Sequence, residues 1–191
     1  AIRDGEWPLW NPYQFTGVPL VGAYQTAVFY PPRLVFLIAE NLYIAITIFI
    51  LFKLWLAGFI AYVCARGLNL QASTARFFSI AYMLGGYMMM FCSYTTVDSM
   101  GWAPLLFLGI EYLLDSRWLR GYATCLVSSS MMVLAAGAQH TLTFSLLIGA
   151  YFLARLAGRR SAPLALRACT IAGAAGLSAL LIGLLTLRLG G

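Results

Sequence analysis

From Leu42 to Cys64 the chain runs for 23 residues with a single charge, Lys53. At ~1.5 Å of rise per residue, such a run makes a helix ~34 Å long, enough to cross a bilayer with some tilt. In lipid every backbone N–H and C=O must find its partner within the protein, so a run of this kind commits the chain to a helix. The pattern then recurs. Ala75–Cys92, Met100–Leu114, Tyr122–Ala138, Thr141–Ala157 and a stretch from Pro163 to about Leu187 read as further spans. Ser73 is a candidate N-cap before the second span, and Pro163 suits the first turn of the last. Gly85 and Gly86 offer close helix contact. The chain is 62% hydrophobic and 9% charged, which excludes an ordinary soluble domain. The expected fold is an all-α membrane protein: about six transmembrane helices over residues 42–191, preceded by an ordered extracytoplasmic loop over 1–41. The chain starts at Ala1 inside a loop and stops just after an apolar run, so it reads as a fragment of a longer protein with spans on both sides.

The stretch from Asp4 to Pro32 cannot be a membrane helix. Prolines stand at 8, 12, 19, 31 and 32; each removes a backbone donor and pushes the preceding residue toward extended geometry. The stretch is nonetheless rich in rings: Trp7, Trp10, Tyr13, Phe15, Tyr24, Phe29 and Tyr30. A disordered linker is polar and poor in aromatics. This segment is expected to be ordered and non-helical, with amphipathic rings at a water–lipid boundary. Residues 33–41 are too short to span and carry Glu40, which suggests a short interfacial helix.

The net charge of +6 does not point to nucleic acid, because the basic residues are scattered near helix ends and no recognition motif is present. If the spans alternate, Arg66, Arg76, Arg117, Arg120, Arg155, Arg159, Arg160 and Arg167 fall on one side, and Arg3, Arg33 and Arg188 on the other. The rich side is cytoplasmic by the positive-inside rule. The opening loop, a polar turn at Ser93–Ser99 and the pair Gln139-His140 then face outward. The four cysteines, Cys64, Cys92, Cys125 and Cys169, lack CxxC spacing and read as packing residues.

The scarce polar groups gather on that outer side: Asp4, Glu6, Glu40, Asp98, Gln139 and His140. Asp98 lies between Tyr94-Thr95-Thr96 and Trp102-Ala103-Pro104. A carboxylate there can accept a proton from a hydroxyl nucleophile, hold a divalent cation or simply cap a helix. His140 can carry a proton or donate to an anionic group; it has no partner at metal-ligand spacing. Lys53 is a cation inside a span, which is costly and by default a functional hypothesis. Glu111 is its obvious counter-ion by sequence, although the two sit at different depths, ~20 Å and ~9 Å from the inner end. Lys53 can otherwise hold a lipid phosphate or snorkel toward water.

The segment Gly5-Glu6-Trp7-Pro8-Leu9-Trp10-Asn11-Pro12-Tyr13-Gln14-Phe15-Thr16-Gly17-Val18-Pro19, followed by Tyr24-Gln25-Thr26-Ala27-Val28-Phe29-Tyr30-Pro31-Pro32, resembles the first large outer loop of the bacterial YfhO-like membrane proteins. Trp102-Ala103-Pro104-Leu105-Leu106-Phe107-Leu108-Gly109-Ile110-Glu111 looks like the same family's short helix after its second outer loop. Ala136-Gly137-Ala138-Gln139-His140 stands where that family tends to carry a Gly-His-Pro-Gln-like turn, here in a different order. The family is similar to the GT-C glycosyltransferases. The resemblance implies a bacterial inner-membrane enzyme that moves a sugar from a polyprenyl-phosphate carrier to an extracytoplasmic glycan or polymer. It also implies an acid early in the first outer loop as base or metal ligand, at a position preceding Ala1.

The expected activity is therefore inverting glycosyl transfer. Asp98 and Asp4 are the candidate catalytic acids. Trp7, Trp10, Asn11, Tyr13, Gln25, Tyr30, Arg33, Lys53, Gln139 and His140 are the candidate substrate contacts, with Arg33 and Lys53 on phosphate. The residues single out no definite cofactor, and a divalent cation is compatible with them. A lipid or solute transporter and a non-catalytic membrane partner protein are the rival classes.

Overall fold

The computed structural model describes residues 10–11, 17–19, 27, 29–38, 41–135 and 138–157. Asp4, Trp7, Tyr13, Gln25, Glu40 and the expected sixth span lie outside them. Two short strands, β1 (Trp10–Asn11) and β2 (Val18–Pro19), pair antiparallel, with Trp10 opposite Pro19 and Asn11 opposite Val18. Gly17, just before β2, has φ 113°, a backbone state that favours glycine. A 3₁₀ turn (Pro31–Leu34) and α1 (Val35–Ile38) follow. The helical part comprises α2 (Leu42–Gly67), α3 (Ala72–Met83), α4 (Gly86–Met90), α5 (Thr95–Met100), α6 (Ala103–Leu114), α7 (Trp118–Leu134) and α8 (Ala138–Ala157).

Sequence chemistry sets several of these ends. Asn41 caps α2, its Oδ1 accepting from Tyr43 N at 2.9 Å, as short polar side chains do at helix starts. The other end of α2 closes at Asn69, φ 63°, where Leu70 N returns to Ala65 O. Ser116, φ 63°, ends α6 the same way, with Arg117 N on Tyr112 O. Both are left-handed caps that satisfy otherwise orphaned carbonyls. The N-cap of α3 is Gln71, with no side-chain bond. Ser73 lies inside the helix, contrary to its expected capping role.

Two expected elements come out differently. The run Ala75–Cys92 is not one helix: it breaks at Leu84-Gly85 between α3 and α4. Gly85 and Gly86 open the helix, and among the described residues a methyl group built on Gly86 would meet nothing within 4 Å. The polar stretch Ser93–Ser99 is not a solvated turn. Most of it coils into α5, whose Val97, Asp98 and Ser99 are buried. Among the described residues, two stretches are long and apolar enough to cross a membrane, Leu42–Gly67 and Thr95–Leu114.

The helices pair side by side, α2 with α3 and α6 with α7, and α6 joins the pairs through α2. The α6–α7 seam is closed by glycines facing opposite ways. A Cβ on Gly109 would fall 2.5 Å from Cys125 Sγ, and one on Gly121 would fall 2.5 Å from Leu113 Cγ. Small residues let helix backbones approach this closely. At the same end, a Cβ on Gly67 would fall 2.5 Å from Leu108 Cδ1. Gly67, Arg117 and Ala157 thus mark a basic end of the bundle. The 3₁₀ turn and α5 mark the opposite, loop end.

Candidate functional site

At the loop end the chain returns to α2 through Ala27, whose left-handed backbone (φ 44°) precedes a turn closed by Tyr30 N on Ala27 O. The turn drives Tyr30 inward until it is 1% exposed, against Phe49 and Ala135. Trp102 Nε1–H donates to Tyr30 Oη at 2.9 Å, and Ser128 Oγ donates to the Trp102 carbonyl at 2.9 Å. Burial pushes the Tyr30 phenol well above its ordinary range, so it stays neutral. Changing Tyr30 to Phe would leave the Trp102 N–H without its acceptor. The expected cost is about 1–3 kcal/mol, read as a lowered unfolding midpoint of the intact protein in detergent.

The next turn brings Arg33 to the same place. Its Nη2 stands 3.5 Å from Asp98 Oδ2, and Lys53 Nζ stands 3.1 Å from Asp98 Oδ1. Lys53 also donates to the Tyr94 carbonyl at 3.1 Å. Both cations lie over the Phe49 ring, at 5.8 Å for Arg33 and 5.3 Å for Lys53. Phe49 is one helical turn before Lys53, so the ring and the ammonium share a face. The three charged side chains differ in exposure: 0% for Asp98, 3% for Lys53 and 25% for Arg33. Asp98 Oδ1 is buried and has no aligned hydrogen-bond donor, so its contact with Lys53 is chiefly ionic. Ser99 Oγ, donating to the Met132 carbonyl at 3.3 Å, ties α5 to α7 behind the carboxylate.

The structure therefore joins Tyr30, Arg33, Lys53 and Asp98, four residues singled out in the sequence. Trp10 and Asn11 lie in β1, and Gln139 and His140 in the first turn of α8, a helix that packs on α5. Lys53 does not meet Glu111. Glu111 belongs to the other end, where Tyr151 Oη and Arg155 Nε donate to Oε1 and Arg155 Nη2 donates to Oε2 at 2.7 Å. The depth mismatch between Lys53 and Glu111 is the physical reason: each takes the opposite charge at its own level. Tyr151 and Arg155 are one turn apart on α8, and this pair was missed, as were Trp102 and Ser128. Trp102 stands four residues after Asp98, a spacing that could have flagged it.

Asp98 does not fit a metal ligand, because side-chain cations already stand at both of its oxygens. Among the described residues, no three His, Cys, Asp or Glu side chains converge on one point.

Residues 18–132, three-fifths of the chain, match the family described as bacterial membrane protein YfhO. The chain belongs to that family. The matched region contains the whole Tyr30–Arg33–Lys53–Asp98–Trp102–Ser128 assembly. No curated protein and no solved structure matches the chain. The YfhO family relation and the apolar helices together make this a membrane protein.

Proposed function

We propose that this YfhO-family protein is a GT-C-like glycosyltransferase of the bacterial inner membrane, with about six spans. It takes a sugar from a polyprenyl-phosphate carrier and passes it to an extracytoplasmic glycan or polymer. One observation carries the reading: Arg33, on the segment that leads out of the ring-rich loop, presents a part-exposed guanidinium where that segment docks on the bundle. Charge that builds on a departing phosphate is what such a reaction most needs to stabilise, and a planar guanidinium suits phosphate oxygens. The rings of the loop offer flat apolar faces to a sugar or a prenyl chain. An acid of the loop deprotonates the acceptor hydroxyl; Asp4 is the candidate on this chain.

The assay is sugar transfer from polyprenyl-phosphate donors in vesicles carrying the intact protein. Transfer that falls at least about tenfold in Arg33→Gln supports the reading, as expected for loss of a charge-assisted hydrogen bond. Absence of transfer with every such donor sinks it.

Sidedness is a separate prediction. Cys92, half-buried at the loop end, is expected to react with an impermeant thiol reagent added outside whole cells. A cysteine placed at exposed Gln71, at the basic end, is expected to react only after the cells are opened. Cys64 cannot serve as this control, because it is buried and silent from either side. Labelling in the reverse order overturns the orientation.

The break between α3 and α4 favours a second reading, a lipid or solute transporter, because interrupted helices near mid-membrane are a recurrent feature of transporters. Movement of a labelled lipid or solute across vesicles containing the protein, without sugar transfer, would select it.

A further inference from the structure

We infer that Asp98 is a positioning residue: its carboxylate fixes Lys53 inside the bundle and holds Arg33 at the rim to meet a phosphate-bearing lipid headgroup. The inference rests on the glycosyl-transfer reading for the identity of that lipid, and on the geometry for everything else.

The same carboxylate makes two unequal contacts. Toward Lys53 it is short, 3.1 Å, between side chains that are 0% and 3% exposed. The ammonium is further engaged by the Tyr94 carbonyl and the Phe49 face. Nothing from outside reaches this pair, and an ammonium in a span requires a partner of this kind. Toward Arg33 the contact is longer, 3.5 Å, and the guanidinium is a quarter exposed. Asp98 thus orients a cation that ligands can reach by way of an oxygen that they cannot. A carboxylate enclosed in this way has no open path to an acceptor hydroxyl, whereas a general base must come within hydrogen-bond reach of the proton it takes. The backbone reinforces the placement: Arg33 N bonds Tyr30 O at 2.9 Å, and the Tyr30 ring is pinned by Trp102.

The test uses the intact protein in nanodiscs of phosphatidylcholine containing polyprenyl phosphate, with polyprenol and inorganic phosphate as the other probes. Four proteins are compared: wild type, Arg33→Gln, Asp98→Asn and the double variant Lys53→Met/Asp98→Leu. Arg33→Gln is expected to keep the wild-type melting temperature and to bind polyprenyl phosphate at least about tenfold more weakly, with polyprenol binding unchanged. Asp98→Asn leaves Lys53 buried without its counter-charge and is expected to melt roughly 5 °C or more lower. The double variant removes both charges. It is expected to regain most of that loss while still binding polyprenyl phosphate about tenfold more weakly than wild type, because Arg33 has lost its guide.

In the transfer assay the double variant is expected to show a raised KM for donor, a kcat lowered by at most about tenfold as Arg33's hold on the departing phosphate loosens, and an unshifted pH profile, since no proton-transferring group is removed. A folded double variant whose kcat falls a thousandfold or whose pH profile loses a limb overturns the assignment, because Asp98 would then take part in proton transfer. Equal polyprenyl-phosphate binding by wild type, Arg33→Gln and the double variant also overturns it. Arg33-dependent binding of inorganic phosphate but not of polyprenyl phosphate rejects the lipid source. If wild type shows no transfer at all, the glycosyltransferase reading falls, while binding and melting still decide the role of Asp98.

Discussion

Lys53→Met alone is expected to destabilise the protein by about 3–5 kcal/mol, a large effect for a substitution that adds apolar volume to an apolar helix. The cause is the group left behind. Asp98 is 2% exposed, and among the described residues the longer contact with Arg33 is the charge contact left to it without the ammonium. Taking one partner from a buried ion pair leaves an uncompensated charge, whereas replacing both with apolar groups is often neutral or favourable. Unfolding of the purified intact protein in detergent, followed by tryptophan fluorescence against denaturant, measures the effect. A loss of less than about 1 kcal/mol would mean that the pair behaves like a solvated surface bridge, and the site would have to be open to water.

Gly121→Val is the second large effect. A Cβ alone at Gly121 falls 2.5 Å from Leu113 Cγ and 3.0 Å from the Leu113 backbone nitrogen. The side chain of Leu113 could turn away, but its backbone cannot, so α6 and α7 must separate. Overpacking of this kind costs about 1–3 kcal/mol or more. Gly109→Val is expected to act similarly, since its Cβ meets Cys125 Sγ at 2.5 Å and Cys125 N at 3.0 Å. Gly86→Val serves as the comparison, because among the described residues nothing lies within 4 Å of a Cβ there, and an equal loss would discount the packing explanation. The same unfolding measurement reads all three.

The elements that run on periodicity were legible in the sequence. The 23-residue apolar run announces α2, and among the described residues Arg66, Arg117 and Arg155 fall at one end of the bundle. One piece of the loop was also legible: Trp10–Asn11 and Val18–Pro19 pair as extended strands where a proline-set backbone was expected, while most of the ring-rich stretch lies outside the described residues. What escaped depends on contacts between distant residues. Asp98 looked like a solvated or capping acid because its neighbours Thr95, Thr96 and Ser99 are polar. In the fold those polar groups sit within or beside a buried helix, and Ser99 spends its hydroxyl on α7. For Lys53 the sequence offered Glu111 as the obvious counter-ion. Depth along the helix was the clue that argued against Glu111, yet nothing local pointed to Asp98. The broken second span was misread because Gly85-Gly86 serves equally well for close packing or for a helix end, and only the absence of a neighbour tells the two apart.

The ion pair at Lys53 and Asp98 also bears on how the protein is made. Synthesis delivers Lys53 forty-five residues before Asp98. At roughly 5–20 residues per second, the first long helix therefore waits about 2–9 s for its partner. During that interval a bare ammonium occupies the hydrocarbon layer or its edge, at a penalty of roughly 2.5–3.5 kcal/mol on insertion scales. Capture by α5 ends the wait and supplies the carboxylate against which Arg33 also rests.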